Sequence, residues 1–383
     1  MRKNNKNFLP QQYKKDSLLK INHNYLKEQF NKSDDILNKI KELSKTCDFT
    51  LGKEVDKFEK NIQKLTNSKY AIGVGSGTDA ISLSLKALDI GHGDEVITTP
   101  YTFYATVGAI VSIGAKPVFV DVKEDYNIDE NKIVSAITNK TKAIVPVHWS
   151  GLLCNMKEIN KIAKKYNLSI VEDACHAIKA ELNSKKAGFY SSTACYSMHP
   201  LKNLNVWGDG GFVTTNSKKI YEKICLLRNH GLINRDTCKI FAGNSRLDTL
   251  QAIIANAMLK KINLITKKRI TNALYYDKHL SHIDQITIPK RVTESIQVFH
   301  IYVIKAKQRD KLKKYLISKG IDAKIHYPLL MHLQPAAKTL GYKRGSFPIA
   351  EKLSKNIFSL PVHEFITKKQ MNFVIKQIKN FYK

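Results

Sequence analysis

The sequence predicts an α/β protein built on a mostly parallel sheet and followed by a smaller α+β unit. Short β-branched runs alternate with helix-length segments from residue 71 to residue 171. The spacing between those runs leaves room for one crossover helix each, and the last hundred or so residues switch to a different order of strands and helices. At 383 residues the chain exceeds what one simple core usually fills, so a large domain with a smaller companion is expected.

In chain order, residues 1–20 are polar and charged and are expected to be mobile at the tip. Between residues 26 and 65 apolar positions recur at helical spacing (Ile36, Ile40 and Leu43, then Val55, Phe58, Ile62 and Leu65), and Asp48-Phe49-Thr50-Leu51-Gly52 breaks them into two helices. Strands follow at 71–74, 95–98, 117–120, 143–147 and 168–171, with helices at 78–88, 104–113 and 156–166. Such repetition implies right-handed crossovers and a sheet covered on both faces. A strand at 194–198 and a Gly-rich, hairpin-like stretch at 207–215 come next, and helical periodicity then runs from 247 to about 277. The terminal unit reads as strand 298–305, helix 309–319, strand 323–327, a turn-rich segment and a closing helix from Thr367. The expected boundaries are a mobile segment 1–20, a large domain 21–265 with N-terminal helices, and a small domain 266–383.

The chain carries 63 Lys and Arg against 33 Asp and Glu, a formal charge of +30. Charge of that size attracts phosphorylated ligands and raises nucleic-acid binding as a class. The lysines are spread along the whole chain among many Asn and Ile, and no RNP, zinc-finger or helix-turn-helix pattern is present to read bases. A nucleic-acid partner is therefore not expected. Six scattered cysteines lie outside CxxC pairs and metal-ligand spacings, so reduced thiols and no metal site are expected. No apolar run reaches the length of a membrane span, and MRKNNKNFLPQQYKK lacks the apolar stretch of a secretory signal. A cytoplasmic protein with no membrane partner is the expectation.

In open α/β sheets ligands collect at the carboxyl ends of the strands, and four polar groups are expected there. Gly73-Val74-Gly75-Ser76-Gly77-Thr78-Asp79 stands between a strand and a helix, where it makes either an anion site at the helix N-terminus or only a tight turn. It matches neither GxGxxG nor a P-loop. Asp173, in Glu172-Asp173-Ala174-Cys175-His176, ends an apolar strand; it either caps a helix or meets a cationic partner such as a protonated ring nitrogen. Cys175 could be a nucleophile, but a small residue packed beside a site accounts for it more simply. Lys202, in Ser197-Met198-His199-Pro200-Leu201-Lys202-Asn203-Leu204-Asn205-Val206-Trp207-Gly208-Asp209-Gly210-Gly211, follows a strand among apolar residues. A lone lysine is ordinarily a solvated surface group, but this setting could desolvate the amine and lower its pKa for covalent chemistry with a carbonyl. Asn244-Ser245-Arg246-Leu247-Asp248 opens a helix, as a cap or as an amide and guanidinium presented to a phosphate.

The order of these motifs resembles the DegT/DnrJ/EryC1/StrS family, sugar aminotransferases of fold type I that depend on pyridoxal 5'-phosphate (PLP). The resemblance extends from Asp48–Gly52 to Arg228-Asn229-His230-Gly231, His326-Tyr327-Pro328 and Ser359-Leu360-Pro361. It implies an aspartate aminotransferase-like fold with residues 21–265 holding the cofactor and Lys202 as the Schiff-base lysine. It further implies that Asp173 pairs with the pyridine nitrogen and that Ser76, Gly77, Thr78 and Ser197 hold the phosphate. Phe103 falls where relatives stack an aromatic ring on the cofactor, although a core phenylalanine is the alternative; His176 falls where relatives contact the phenolic oxygen. Asn244 would reach the cofactor phosphate of a neighbouring subunit, which implies a homodimer with shared sites. His199, Arg246, His326 and His332 are candidates for the substrate. His199 and His148-Trp149-Ser150-Gly151 depart from the commoner family pattern on the substrate side, which bears on which ketone binds. Some relatives carry histidine at the Lys202 position and act as dehydratases; the lysine here argues against that chemistry.

The implied activity is amino transfer, from glutamate, to a keto group of a nucleotide-linked sugar destined for a surface glycan. Alternatives are a smaller phosphorylated ketone as acceptor, a PLP-binding regulator without catalysis, and a basic scaffold without cofactor.

Overall fold

The computed structural model describes residues 18–383, so the expected mobile segment 1–20 lies outside the described residues up to residue 17. Lys20 itself is tied down, its amide donating to the Gly320 carbonyl at 2.7 Å. The strands in chain order are β1 (Tyr70–Val74), β2 (Glu95–Thr98), β3 (Lys116–Phe119), β4 (Thr141–Ile144), β5 (Ser169–Asp173), β6 (Glu181–Leu182), β7 (Lys185–Lys186), β8 (Thr193–Ser197), β9 (Gly211–Thr215), β10 (Ile286–Thr287), β11 (Ser295–Ile296), β12 (Tyr302–Ala306) and β13 (Ile357–Leu360).

Seven of them form one sheet in the order β1-β9-β8-β5-β4-β2-β3. The pairs among β8, β5, β4, β2 and β3 are parallel, whereas β9 is antiparallel to both neighbours. The exception follows from connectivity: no helix joins β8 to β9, and without a crossover the second strand must return antiparallel. Successive residues point to opposite faces. Ala71 and Phe212 therefore enter a core with Phe58, Ile62, Ile253 and Met258, while Ile72 and Val213 enter the other with Ile81, Leu85, Val96 and Val171. The first core is closed by helices Lys53–Thr66 and Thr249–Leu259, the second by Gly77–Ala87, Tyr104–Ser112 and Lys218–Leu227.

The C-terminal unit holds the antiparallel sheet β10-β12-β13, with helices Arg309–Ser318 and Lys368–Tyr382 packed together on it. The last helix opens at a capping box in which Thr367 and Gln370 bond each other's backbone reciprocally. The core here joins Tyr276, Leu280, Tyr302, Leu312, Phe358 and Val374.

Four expected elements differ, the first being the segment read as turn-rich, which holds helix Pro348–Asn356 and strand β13. The helix read at 247–277 is two, Thr249–Leu259 and Ile262–Leu280. The second gives Ile262 and Ile265 to the large core and Ala273, Tyr276 and Leu280 to the small one, so it runs from one to the other. The strand read at 298–305 begins only at Tyr302, and the strand read at 323–327 is reduced to one bridge between Lys324 and Ser359. His300 of the first of these two segments, and His326 and Tyr327 of the second, line the cavity described next instead.

Candidate active site

A cavity of about 300 Å³ opens at the carboxyl ends of β1, β2, β4, β5 and β8. Its floor is the turn between β1 and helix Gly77–Ala87. Ser76 caps that helix, its Oγ accepting from the Asp79 amide at 3.0 Å and donating to the Asp79 carboxylate. The cap leaves the amides of Gly77 and Thr78 without an acceptor among the described residues at the cavity wall, the arrangement that receives a phosphate at a helix N-terminus. Only glycine fits at 77: a Cβ there would stand 2.7 Å from the Ser197 Cβ and 2.9 Å from the Cys175 Sγ. From outside, the Ser245 carbonyl holds the Gly75 amide at 2.8 Å, so the segment 244–248 braces this turn.

Asp173 ends β5 and is buried. Its Oδ2 accepts from the Thr106 hydroxyl at 2.7 Å and its Oδ1 from the Cys175 amide at 3.1 Å. Each oxygen keeps a free lone pair, so the carboxylate is oriented yet still open to a donor in the cavity. Behind it a buried pair, His148 Nε2 and Glu172 Oε2 at 2.6 Å, braces the strand ends; Cys154 N donates to His148 Nδ1, which leaves Nε2 as the donor to Glu172.

Lys202 lies in the loop between β8 and β9, pinned at several points. The Met198 amide donates to Gly210 O at 2.7 Å, the Lys202 amide to His199 O at 2.8 Å, and the Trp207 amide to Gln251 Oε1 at 3.1 Å. Asn205 donates to Gln29 at 2.7 Å. The amine of Lys202 has no hydrogen-bond partner among the described residues and faces the cavity with Asp173 and Cys175. Burial lowers its pKa below the usual lysine value, against the opposing pull of Cys175 and Asp173. Burial and the charge on Asp173 push the Cys175 thiol the other way, well above its usual range, which suits a packed thiol and not a nucleophile.

The cavity also gathers Phe103, His176, Ser197, His199 and His326. Phe103 is 49% exposed, with its ring 5.9 Å from that of Tyr327, so it is a free aromatic face and not a core residue. His326 bonds Ser359 Oγ at 2.8 Å, and burial lowers its pKa to about 4. Three sequence candidates stand elsewhere. His332 is buried beside Glu351, bonded at 3.0 Å; Arg246 donates to Asn229 Oδ1 at 3.0 Å; Asn244 is exposed on the outer side of the braced turn. Sequence reasoning missed Thr106 and His300, and gave Tyr327, quoted within His326-Tyr327-Pro328, no role of its own. Thr106 sits three residues after Phe103, in the first turn of helix Tyr104–Ser112, a spacing that could have found it. His300 and Tyr327 reach the cavity from the C-terminal unit, and nothing local marks His300.

Comparison with known proteins agrees with this geometry. The sequence signature of the DegT/DnrJ/EryC1/StrS aminotransferase family matches residues 31–379. A protein of Geobacillus stearothermophilus named "Pleiotropic regulatory protein" is 40% identical over 94% of this chain and 97% of its own length. The dTDP-3-amino-3,6-dideoxy-alpha-D-galactopyranose transaminase of Aneurinibacillus thermoaerophilus is 37% identical over 87% of this chain and 91% of its own. The crystal structure of S. venezuelae DesV superposes with a TM-score of 0.91 at 32% identity, covering 94% of this chain and 97% of that one. NtdA from Bacillus subtilis, solved with bound cofactor PMP, superposes at 0.86 and 31% identity over 91% and 82%. The chain belongs to the DegT/DnrJ/EryC1/StrS aminotransferase family and is a fold type I, PLP-dependent aminotransferase.

Proposed function

We propose that this protein transfers an amino group from glutamate to the keto group of a nucleotide-linked sugar used for surface glycan synthesis, acting in the cytoplasm as a homodimer. The observation that supports it best is the meeting, in one cavity, of a desolvated Lys202 amine, an oriented Asp173 carboxylate and two amides at 77 and 78, the amine and the amides having no partner among the described residues. The transaminase name of the Aneurinibacillus relative supports the sugar substrate.

These residues suit PLP. The Gly77 and Thr78 amides with the Ser76 and Ser197 hydroxyls would hold its phosphate, Asp173 its ring nitrogen, the exposed face of Phe103 its ring and His176 its phenolic oxygen. When bound, PLP supplies an electron sink and carries the amino group between the two substrates. Lys202 Nζ, less basic than a surface lysine, accepts and returns the proton that moves during the transfer. Thr106 and the Cys175 amide keep Asp173 from rotating, and Tyr101 and Trp149, both fully buried, shield the wall beside it from water. His199 and His326 line the same space and are the proposed acceptor-side contacts; Arg246 and His332 lie outside that wall. Asn244, exposed beside the braced turn, and Phe241, fully exposed on the same segment, are the proposed contacts to a second copy.

The name of the Geobacillus relative, "Pleiotropic regulatory protein", raises a second reading, a regulatory role. One experiment separates them: visible spectra of the PLP-loaded protein before and after glutamate, for wild type and Lys202→Ala. A glutamate-sensitive band in wild type alone supports the enzyme. Restoration of that band by nucleotide-linked keto sugars, and not by smaller phosphorylated ketones, supports the sugar substrate. A wild-type spectrum indifferent to glutamate sinks the proposal in favour of the regulator.

A further inference from the structure

His300 stands between the main cavity and a smaller one of about 80 Å³ behind it, lining both. Its ring lies 4.1 Å from that of His176, centroid to centroid, at an interplanar angle of 37°. Among the described residues the buried Nδ1 atoms of both rings have no hydrogen-bond partner, so no such bond at Nδ1 fixes the plane of either. The ring contact is one constraint on that plane.

The segment carrying His300 is held from three sides. The Val298 amide donates to Gly151 O at 3.0 Å; Val298 O accepts from the Asn203 side chain at 3.1 Å; the carbonyls of Phe299 and His300 both accept from Arg269 Nη1 at 3.3 Å. Asn203 is the neighbour of Lys202, so this segment is tied to the lysine loop. The approach is close enough that a Cβ at Gly151 would stand 2.6 Å from the Val298 Cγ2 and 2.9 Å from the His176 carbonyl oxygen. A segment fixed this firmly makes a rigid backing for whatever ring lies against it. Burial, together with the Lys202 charge, lowers the pKa of both histidines well below the usual value, so two neutral rings can pack against each other, tilted as they are, without charge repulsion.

We propose that His300 is a positioning residue that holds the His176 ring in the plane in which it meets the cofactor. The proposal rests on the reading that His176 faces PLP. Because the device is the packing of one ring against another, His300→Phe keeps it and His300→Ala removes it. An aromatic pair of this kind corresponds to roughly three- to tenfold in an equilibrium constant.

The test is PLP titration followed by visible absorption, on His300→Ala, His300→Phe, His176→Ala and the His176→Ala/His300→Ala double variant, with thermal denaturation of each apoprotein to verify folding. His300→Ala should weaken PLP binding roughly three- to tenfold and displace the band maximum, His300→Phe should restore both, and the double variant should bind no more weakly than His176→Ala. Additive losses in the double variant, or a His300→Phe variant as impaired as His300→Ala, overturn the proposal. If His176→Ala alone changes neither affinity nor band, the reading of His176 fails and the proposal falls with it. If His176→Ala changes both while His300→Ala changes neither, only the role of His300 is lost.

Discussion

At Gly77 an added Cβ would press on Ser197 and Cys175, and the strain would be borne by the turn whose amides face the cavity. Gly77→Ala is expected to destabilise the apoprotein by about 1–3 kcal/mol, the usual range for overpacking, and to weaken PLP binding at least about tenfold. Thermal denaturation and a spectroscopic titration measure the two effects separately; unchanged PLP affinity would remove the turn from the phosphate site. Thr106→Val probes the opposite wall. It keeps the shape but removes the 2.7 Å donor to Asp173 and a 2.7 Å contact with Thr102. A hydrogen bond to a charged group contributes about 1.5–3 kcal/mol, so kcat/KM should fall roughly ten- to hundredfold while the fold persists. A variant with wild-type kcat/KM would mean that the orientation of Asp173 does not depend on Thr106.

Helix Lys53–Thr66, β1 and the end of helix Lys218–Leu227 are joined by one buried ion pair. Arg228 Nη1 lies 2.5 Å from Glu59 Oε1 and 2.8 Å from Gly73 O, and the same Glu59 oxygen accepts from the Gly73 amide. Glu59→Ala strands the guanidinium and should cost about 3–5 kcal/mol in urea denaturation, whereas Glu59→Leu/Arg228→Met should recover most of that loss. A double variant as unstable as the single one would show that the hydrogen bonds to Gly73, not the charge, decide. Most elements at this scale were legible because their signals are local: short runs such as Val96-Ile97-Thr98 in β2 and Ala194-Cys195-Tyr196 in β8 mark strands, and glycines mark the turn after β1. The break between helices Thr249–Leu259 and Ile262–Leu280 was not, since Lys260 and Lys261 are good helix formers and the apolar spacing continues through Leu259 and Ile262. The alternation at 323–327 looked like a strand, but only Lys324 pairs in a sheet, and His326 and Tyr327 line the cavity instead. Within the site, Asp173, Lys202 and the 76–78 turn were legible from strand ends and Gly-rich loops. His300 and Tyr327 arrive through the tertiary path of another unit, and the identity of His332 as a histidine said nothing about its burial beside Glu351.

Across the whole molecule, burial holds the pKa values of His23, His176, His300, His326 and His363 below the usual histidine range, to about 4 for His326 and His363. The unfolded chain then binds protons that the folded one refuses. Stability is therefore full above about pH 6.5 and is lost as the pH falls toward 4. For His363, 8% exposed, the loss by pH 4 is on the order of 3 kcal/mol. The apoprotein's midpoint should drop steeply over that interval and less steeply in His363→Gln; equal slopes would mean that His363 gains its proton without unfolding. The last expectation concerns the proposed homodimer. Asn244 and Phe241 are exposed, outside the wall of their own chain's cavity, on the segment whose Ser245 carbonyl braces the Gly75 turn. If Asn244 completes the neighbour's phosphate site, Lys202→Ala and Asn244→Ala chains are each inactive alone. In a mixed dimer, the intact lysine of one chain meets the intact asparagine of the other, and one of the two sites is whole. Random reassociation of equal amounts makes half of the dimers mixed, so about a quarter of wild-type activity should return. If Asn244 served only its own chain, every site in every dimer would lack one residue or the other, and mixing would restore nothing.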